Sequence, residues 1–239
     1  MSTLVVYADT TDGFISSGDV EWNDGEGWIS GYYPSARDGT GNDFLSDTTD
    51  NIVYVGQRRS PTPHAGYDFF VYESFLAFDT SSVGSGSTVS AAVLNLTCNT
   101  SSSASSFTCE TRMYDWGANL TTADYISGAS LTQTLVASVD TGSLADGAHV
   151  DFTDVALPAN INKTGSTRLV INSSKTRLNT APTAAESPTF FSSDYAGTTS
   201  DPKLTVTYTA GSPPGFLMLE DNSGSYELED GSGGTKLEN

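Results

Sequence analysis

Four aromatic side chains are concentrated in a short, turn-rich stretch near the start of the chain. They are Trp22, Trp28, Tyr32 and Tyr33. Indole and phenol rings stack on the apolar faces of pyranose rings, while nearby Asp, Asn and Arg side chains bind the hydroxyls. This combination indicates a carbohydrate-binding surface. Aromatic residues of a core, or of an interface between copies, are more common, and the sequence leaves both explanations open.

The same region is rich in acids, with ten Asp or Glu residues and one Arg among the first fifty positions. The carboxylates that could act as hard oxygen ligands for Ca²⁺ in loops are Asp9, Asp12, Asp19 and Asp43. Their spacing matches no recognised calcium loop such as the EF-hand. The sequence therefore leaves two explanations of these acids open, a structural Ca²⁺ site and ordinary solvated loops.

The residue types needed for catalysis have no recognisable arrangement. The chain has two histidines, His64 in a Pro-rich loop and His149 on an expected short strand, and no Ser or Cys lies in a nucleophile motif. Its 29 acids make close carboxylate pairs inevitable, so such pairs do not indicate a glycosidase. We therefore expect a protein that is not an enzyme.

The formal net charge of −19 restricts the possible partners. Nucleic acid needs Lys and Arg for its phosphates, so it is excluded as a partner, and anionic membranes are disfavoured. No apolar run approaches the ~20 residues of a membrane span, so we expect no membrane insertion. The first nine residues lack the features of a signal peptide and read as a strand, which predicts synthesis in the cytoplasm.

Short alternating segments separated by Gly, Ser, Asp and Asn predict an all-β fold, either a sandwich or a barrel. Tyr67–Asp79 is expected to be the central strand, because Phe75 to Phe78 is apolar on both faces. Lys203–Thr209 alternates cleanly and should be a half-buried strand. Between residues 10 and 68 we expect short strands at 20–22, 28–33 and 51–56.

Two cysteines are expected in one hairpin, made of strands at 89–98 and 107–116. A tip at 101–106 would place Cys98 opposite Cys109, both facing the core with neighbours such as Leu96 and Met113. Opposed buried cysteines are either bridged or free apolar fillers. Cytoplasmic synthesis favours free thiols, and the sequence does not decide between the two.

The character of the chain changes after Thr209. Residues 1–209 read as one sandwich domain, 210–215 as a Gly/Pro linker, and 216–239 as a β-repeat with a period of nine residues. Such short units bury no core alone, so we expect them to pair with another surface or with further copies. The apolar residues predicted to set this assembly are Leu217, Leu219, Tyr226, Leu228 and Leu237.

Several segments resemble the DNRLRE (disaggregatase-related) family between about Val5 and Thr209. They read ADTTDGFISSG, ESFLAFDTSSVGSGSTVSAAVLNL, CETRMYDWGANLTTADY, VDFTDVALPANI and FFSSDYAGTTSDPKLTVTYT. The resemblance implies an antiparallel jelly-roll β-sandwich akin to carbohydrate-binding modules, a fold that often carries a structural Ca²⁺. It also implies a binding or structural module of a kind common in phage heads and tails.

The C-terminal LEDGSG-type repeat is similar to the tails of bacteriophage structural proteins. Virion proteins are made inside the host and work outside it, which fits an extracellular-looking composition without a signal peptide. We therefore expect a virion protein, most simply a capsid decoration or head-fibre protein on the particle exterior. Expected partners are the major capsid protein or tail and fibre subunits, and further copies in a homo-oligomer, for which a trimer is one candidate. The alternative is a carbohydrate-binding adhesion module for host-surface glycans on a tail appendage.

Overall fold

The computed structural model describes residues 1–101, 104–154 and 156–211. The described strands form two antiparallel sheets that face each other across an apolar core, and a separate two-stranded hairpin. The chain is therefore an all-β, jelly-roll-like β-sandwich, which confirms the predicted fold class. Within the described residues, no helix has both the length and the apolar character that crossing a bilayer requires.

One sheet has six described strands and contains the first and last strands of the sandwich. Its order is β1 (Ser2–Tyr7), β16 (Lys203–Thr209), β9 (Thr88–Thr100), β15 (Thr189–Phe191) and β6 (Ile52–Tyr54), and β12 (His149–Phe152) also pairs with β9. The expected strand Lys203–Thr209 is confirmed in its bounds. Leu204 and Val206 on this strand are fully buried and pair with Leu94 and Ala92 of β9.

The other sheet has eight described strands. Its order is β11 (Leu135–Asp140), β10 (Thr108–Met113), β13 (Ser166–Ser173), β8 (Tyr67–Asp79), β2 (Gly13–Asp19) and β5 (Asp43–Asp47), while β7 (Gly56–Pro61) pairs with β8 and with β14 (Ala185–Glu186). The hairpin is β3 (Trp22–Asn23) with β4 (Trp28–Ile29), and the short helices are α1 (Tyr33–Asp38), α2 (Ala156–Ala159) and α3 (Ser174–Arg177).

Strand β8 is the centre of the eight-stranded sheet, as its sequence predicted. Leu76 and Phe78 point into the core between the sheets, whereas Phe75 and Ala77 belong to a second apolar cluster on the outer face. Helix α1 and residues 114–131 cover that outer face, and we call the two together the covering layer. Residues 114–131 contribute Trp116 among other side chains. Burial on both faces explains why residues 75–78 of this strand are apolar at successive positions.

Aromatic and aliphatic side chains from both sheets fill the core. Phe152 and Phe190, both fully buried, meet edge to face with ring centroids 6.0 Å apart. Burying each such side chain stabilises the fold by about 1.5–3 kcal/mol.

The predicted cysteine hairpin is wrong. Cys98 lies on β9 in the six-stranded sheet, opposite Phe190, whereas Cys109 lies on β10 in the eight-stranded sheet, opposite Val139 and Ser173. Between the two cysteines the chain crosses from one sheet to the other. Both side chains do face the core, as predicted, and both are fully buried free thiols.

The region 10–68 is more regular than its sequence indicated. Strand β2 is buried between β5 and β8, and the expected strand at 28–33 ends at Ile29. Helix α1 follows instead, because Pro34 in its first turn suits a helix start and Gly39, at φ +67°, ends the helix in the left-handed region.

Candidate functional site

The two tryptophans predicted from sequence, Trp22 and Trp28, lie on the β3–β4 hairpin, at the Tyr67 end of β8. The turn of this hairpin is built by side-chain caps: Asn23 Oδ1 accepts from Gly25 N at 2.8 Å, and Asp24 Oδ1 accepts from Glu26 N and Gly27 N at 2.9 Å. Gly25 has φ +94°, which residues with a side chain rarely adopt. Local turn chemistry therefore sets the shape of the hairpin.

The two tryptophans of the hairpin do not share a face. Trp22 pairs directly with Ile29, and Asn23 pairs directly with Trp28. Directly paired residues lie on one face of a ladder and neighbours in sequence alternate, so Trp22 and Trp28 point to opposite sides. They are 46% and 51% exposed. The hairpin thus presents two separate indoles instead of one continuous aromatic platform.

Trp28 is stacked on an imidazole. The ring of His64 is parallel to the indole within 6°, with the centroids 3.7 Å apart. His64 Nδ1 lies 2.8 Å from Oε2 of Glu21, whose side chain is only 5% exposed. A chain of contacts from carboxylate to imidazole to indole therefore fixes the position of Trp28.

Glu21 anchors the series of contacts that runs from its carboxylate through His64 to Trp28. Its Oε1 accepts from the Thr62 hydroxyl at 2.7 Å, and its backbone N–H donates to Asp68 Oδ1 at 2.7 Å. Burial pushes the pKa of Glu21 upward, but the hydrogen bonds from Thr62 and His64 outweigh it and hold the pKa below its ordinary value. Glu21 is therefore an ionised acceptor at neutral pH, so Nδ1 of His64 carries the donated hydrogen.

The residues that follow the hairpin are bonded to the first residue of β8, which itself contacts β7. Gly31 N donates to Tyr67 O at 2.7 Å, and Tyr67 N donates to Ser30 Oγ at 2.8 Å. The guanidinium of Arg59 on β7 lies over the Tyr67 ring, 3.4 Å from its centroid. Sequence analysis missed Glu21, His64, Arg59 and Tyr67 because long-range pairing brings them together and no local spacing reveals it.

The two predicted tyrosines have different environments. Tyr32 is 63% exposed and precedes α1. Tyr33 is 3% exposed, packs with Ala36 and Val71, and its hydroxyl donates to Gln57 Oε1 at 2.7 Å. The prediction that Tyr33 contacts a sugar is wrong, because its ring belongs to the packing between α1 and the sheet.

The four aspartates predicted as calcium ligands lie in two places. Asp9 and Asp12 precede β2, whereas Asp19 ends β2 and Asp43 pairs with Gly18 beside it. Seven residues of extended chain separate Asp12 from Asp19 by roughly 20 Å, so the four carboxylates cannot share one ion. Across 1–101, 104–154 and 156–211, no group of three or more His, Cys, Asp or Glu side chains is placed to hold a metal.

Asp12 has a structural role. It is fully buried and accepts from Ser193 N at 2.9 Å and from Ser193 Oγ at 2.7 Å. Burial raises the pKa of Asp12 to about 6, despite the opposing hydrogen bonds from Ser193. This carboxylate fastens the loop before β2 to the segment after β15.

The residues predicted to drive assembly lie outside the described residues. These are Leu217, Leu219, Tyr226, Leu228 and Leu237. Of the predicted linker 210–215, Ala210 and Gly211 are described, and Gly211 lies close against the backbone of Gly86. The last described residue, Gly211, therefore lies beside the turn that follows β8.

The fold and the hairpin define the protein as an all-β sandwich with an exposed, acid-flanked aromatic hairpin at one end. No protein-family model matches the chain, and no curated protein matches it.

Proposed function

We propose that the chain is a non-enzymatic structural protein of a bacteriophage particle, displayed on the exterior as a capsid decoration or head-fibre protein. A tail appendage is the second location. In this proposal residues 216–239 attach the protein to the major capsid protein, to tail or fibre subunits, or to further copies in a homo-oligomer. The sandwich projects outward from that attachment.

The observation that carries the proposal is that the aromatic hairpin and the start of the C-terminal segment lie at opposite ends of the sandwich. The aromatic hairpin is bonded to Tyr67, at the first residue of β8, whereas Gly211 packs against Gly86, beyond the last residue of β8, Asp79. Thirteen extended residues span roughly 40 Å. The end that leads to the C-terminal segment and the end with exposed indoles are therefore opposite, as display on a surface requires.

Several described ionisable groups in buried or stacked positions have structural contacts, which supports a non-enzymatic role. His64 stacks on Trp28, and His149 Nδ1 lies 2.9 Å from the Thr97 hydroxyl. Glu110 is paired with two arginines, and Glu186 with Lys175. The acidic surface, at a formal net charge of −19, keeps displayed copies apart in solution.

Removal of residues 213–239 tests the attachment. We expect the full chain to join particles and the shortened chain to stay free, with an unchanged circular-dichroism spectrum and thermal midpoint as the control for folding. Incorporation of the shortened, folded chain at the full-length level would show that the C-terminal segment is not the anchor.

A second candidate function is carbohydrate-binding adhesion to host-surface glycans. The observation in its favour is the exposure of Trp22, Trp28 and Tyr32 at the end away from Gly211. Half-exposed indoles held by hydrogen-bonded neighbours are suited to stacking on sugar rings. Binding to a glycan array, lost in a tryptophan variant of the hairpin, tests this function.

A further inference from the structure

We infer that the open face of Trp28 is a selective site for uncharged saccharide rings and disfavours anionic ones. This inference rests on the adhesion function proposed above. It names one side of the hairpin and one chemical class of glycan.

The geometry assigns the contact to a single ring face. His64 covers one face of the Trp28 indole at 3.7 Å, yet the residue remains 51% exposed, so the exposed area lies on the opposite face and the ring edge. A flat, half-exposed aromatic surface with fixed orientation matches the apolar face of a pyranose ring. Little rotamer freedom is lost on binding, because the stack already holds the indole in place.

A hydrogen-bonding group lies beside that ring. Asn23 is the direct cross-strand partner of Trp28, so the two side chains lie on the same face of the hairpin, with Cβ atoms about 5 Å apart. Its Oδ1 is used by Gly25 N, which directs the amide nitrogen away from the turn as a donor for a hydroxyl. An apolar ring face for stacking and an adjacent amide for a hydroxyl are the two kinds of contact that a sugar-binding site needs.

The charge around this face sets the ligand class. Residues 1–36 contain six Asp or Glu and no Lys or Arg, and three of those acids, Glu21, Asp24 and Glu26, lie on or beside the hairpin. The guanidinium of Arg59 is packed over Tyr67. A sulfated, sialylated or uronic-acid ring would meet like charges on a protein of net charge −19, whereas an uncharged ring would not.

Glu21 and His64 are positioning residues for this site. His64 backs the indole and Glu21 orients His64, and neither needs to touch the ligand. We expect His64→Ala to weaken glycan binding several-fold. His64→Phe, which restores a flat ring against Trp28, should recover it, whereas a merely structural role in the loop would give both variants the same affinity.

The test is a glycan array probed with the full chain, followed by titration calorimetry on the hits. The probes are uncharged gluco-, galacto-, manno- and N-acetylhexosamine oligosaccharides with their sulfated, sialylated or uronic-acid counterparts. We expect uncharged ligands to bind at least tenfold more tightly than matched anionic ones at low salt. This ratio of affinities should shrink at about 0.5 M salt, where the Debye length is only about 4 Å, because salt then screens the repulsion between the protein and the anionic glycan.

Trp28→Ala and Trp22→Ala form a matched pair, since both remove a half-exposed indole and they differ in the face of the hairpin. We expect binding to be lost in Trp28→Ala and kept in Trp22→Ala. Loss in Trp22→Ala, alone or together with Trp28→Ala, would overturn the assignment to the Trp28 face. Equal or tighter binding of anionic glycans would overturn the ligand class and leave adhesion standing, whereas an array with no hits would contradict adhesion itself.

Discussion

The imidazole of His64 lies parallel to the indole of Trp28, with ring centroids 3.7 Å apart. This contact joins the loop at 62–66, between β7 and β8, to a hairpin that is separate from both large sheets. It explains how a hairpin with two residues in each strand can hold an exposed tryptophan, since such a small ladder is marginal alone.

The three tryptophans should differ sharply in solvent access. Trp22 and Trp28 are half-exposed, whereas Trp116 is 6% exposed, because it packs from the covering layer against the outer face of the eight-stranded sheet. We expect acrylamide to quench most of the fluorescence of the wild-type protein and little of that of the Trp22→Ala/Trp28→Ala double variant, whose emission should shift to the blue. Strong quenching of the remaining Trp116 signal would contradict the packing of the covering layer.

The stability of the fold should fall as pH rises, because of Glu73. This carboxyl is fully buried under the covering layer, and Ile126 N donates to its Oε2 at 2.9 Å. Burial raises the pKa of Glu73 from 4.5 to about 8, against the smaller effect of that hydrogen bond. Between those two values the unfolded chain releases a proton that the folded protein keeps, so each pH unit costs up to about 1.4 kcal/mol of stability.

Glu73→Gln is the matched control for this prediction, since it keeps the shape and removes the titration. Urea unfolding at pH 6, 7 and 8 should show a downward slope for the wild-type protein and a smaller slope for the variant. The difference between the two curves isolates Glu73, because the other titratable groups are common to both. Parallel curves would show that Glu73 is already ionised in the folded state.

Removal of the carboxylate of Glu110 should cost much more than removal of Arg177, the more exposed of the two arginines that it binds. Glu110 is 5% exposed and lies 2.5 Å from Arg112 Nη2 and 2.6 Å from Arg177 Nη2. We expect Glu110→Ala to destabilise the fold by about 3–5 kcal/mol, because it leaves the buried guanidinium of Arg112 without a carboxylate, with the Gln133 carbonyl as its remaining acceptor. Arg177→Ala, which removes a 38%-exposed side chain, should cost on the order of 1 kcal/mol in the same denaturant titration.

Both thiols should be unreactive in the folded protein. Burial, with a smaller contribution from Asp146, raises the pKa of Cys98 to about 11, and burial raises the pKa of Cys109 still further. We expect a disulfide-exchange reagent at pH 8 to find no reactive thiol in the native chain and two in denaturant. A count of zero in denaturant would mean that Cys98 and Cys109 are bridged.

The strands with strong local patterns could be predicted from sequence, whereas the connections between them could not. Tyr67–Asp79 and Lys203–Thr209 were predicted in their bounds because their burial follows from their apolar patterns. The cysteine hairpin was predicted wrongly because the seven-residue connection 101–107 can either turn back within one sheet or cross to the other. Local periodicity is the same in both cases.

Sequence predicted the exposed aromatic residues of the candidate site, but not the long-range contacts that hold them in place. Trp22, Trp28 and Tyr32 are exposed as a binding surface requires, but Tyr33, next in sequence, is buried by the start of α1. Glu21 and His64 are 43 positions apart and carry no shared motif, so only the fold reveals their contact.

Cryo-electron microscopy of phage particles that contain this protein tests the central proposal most directly. The account predicts density for the sandwich outside the shell, with Gly211 towards the particle and the Trp28 hairpin roughly 40 Å further out, at the other end of β8. A sandwich enclosed within the shell, or a hairpin packed against the capsid with Gly211 pointing outward, would contradict it.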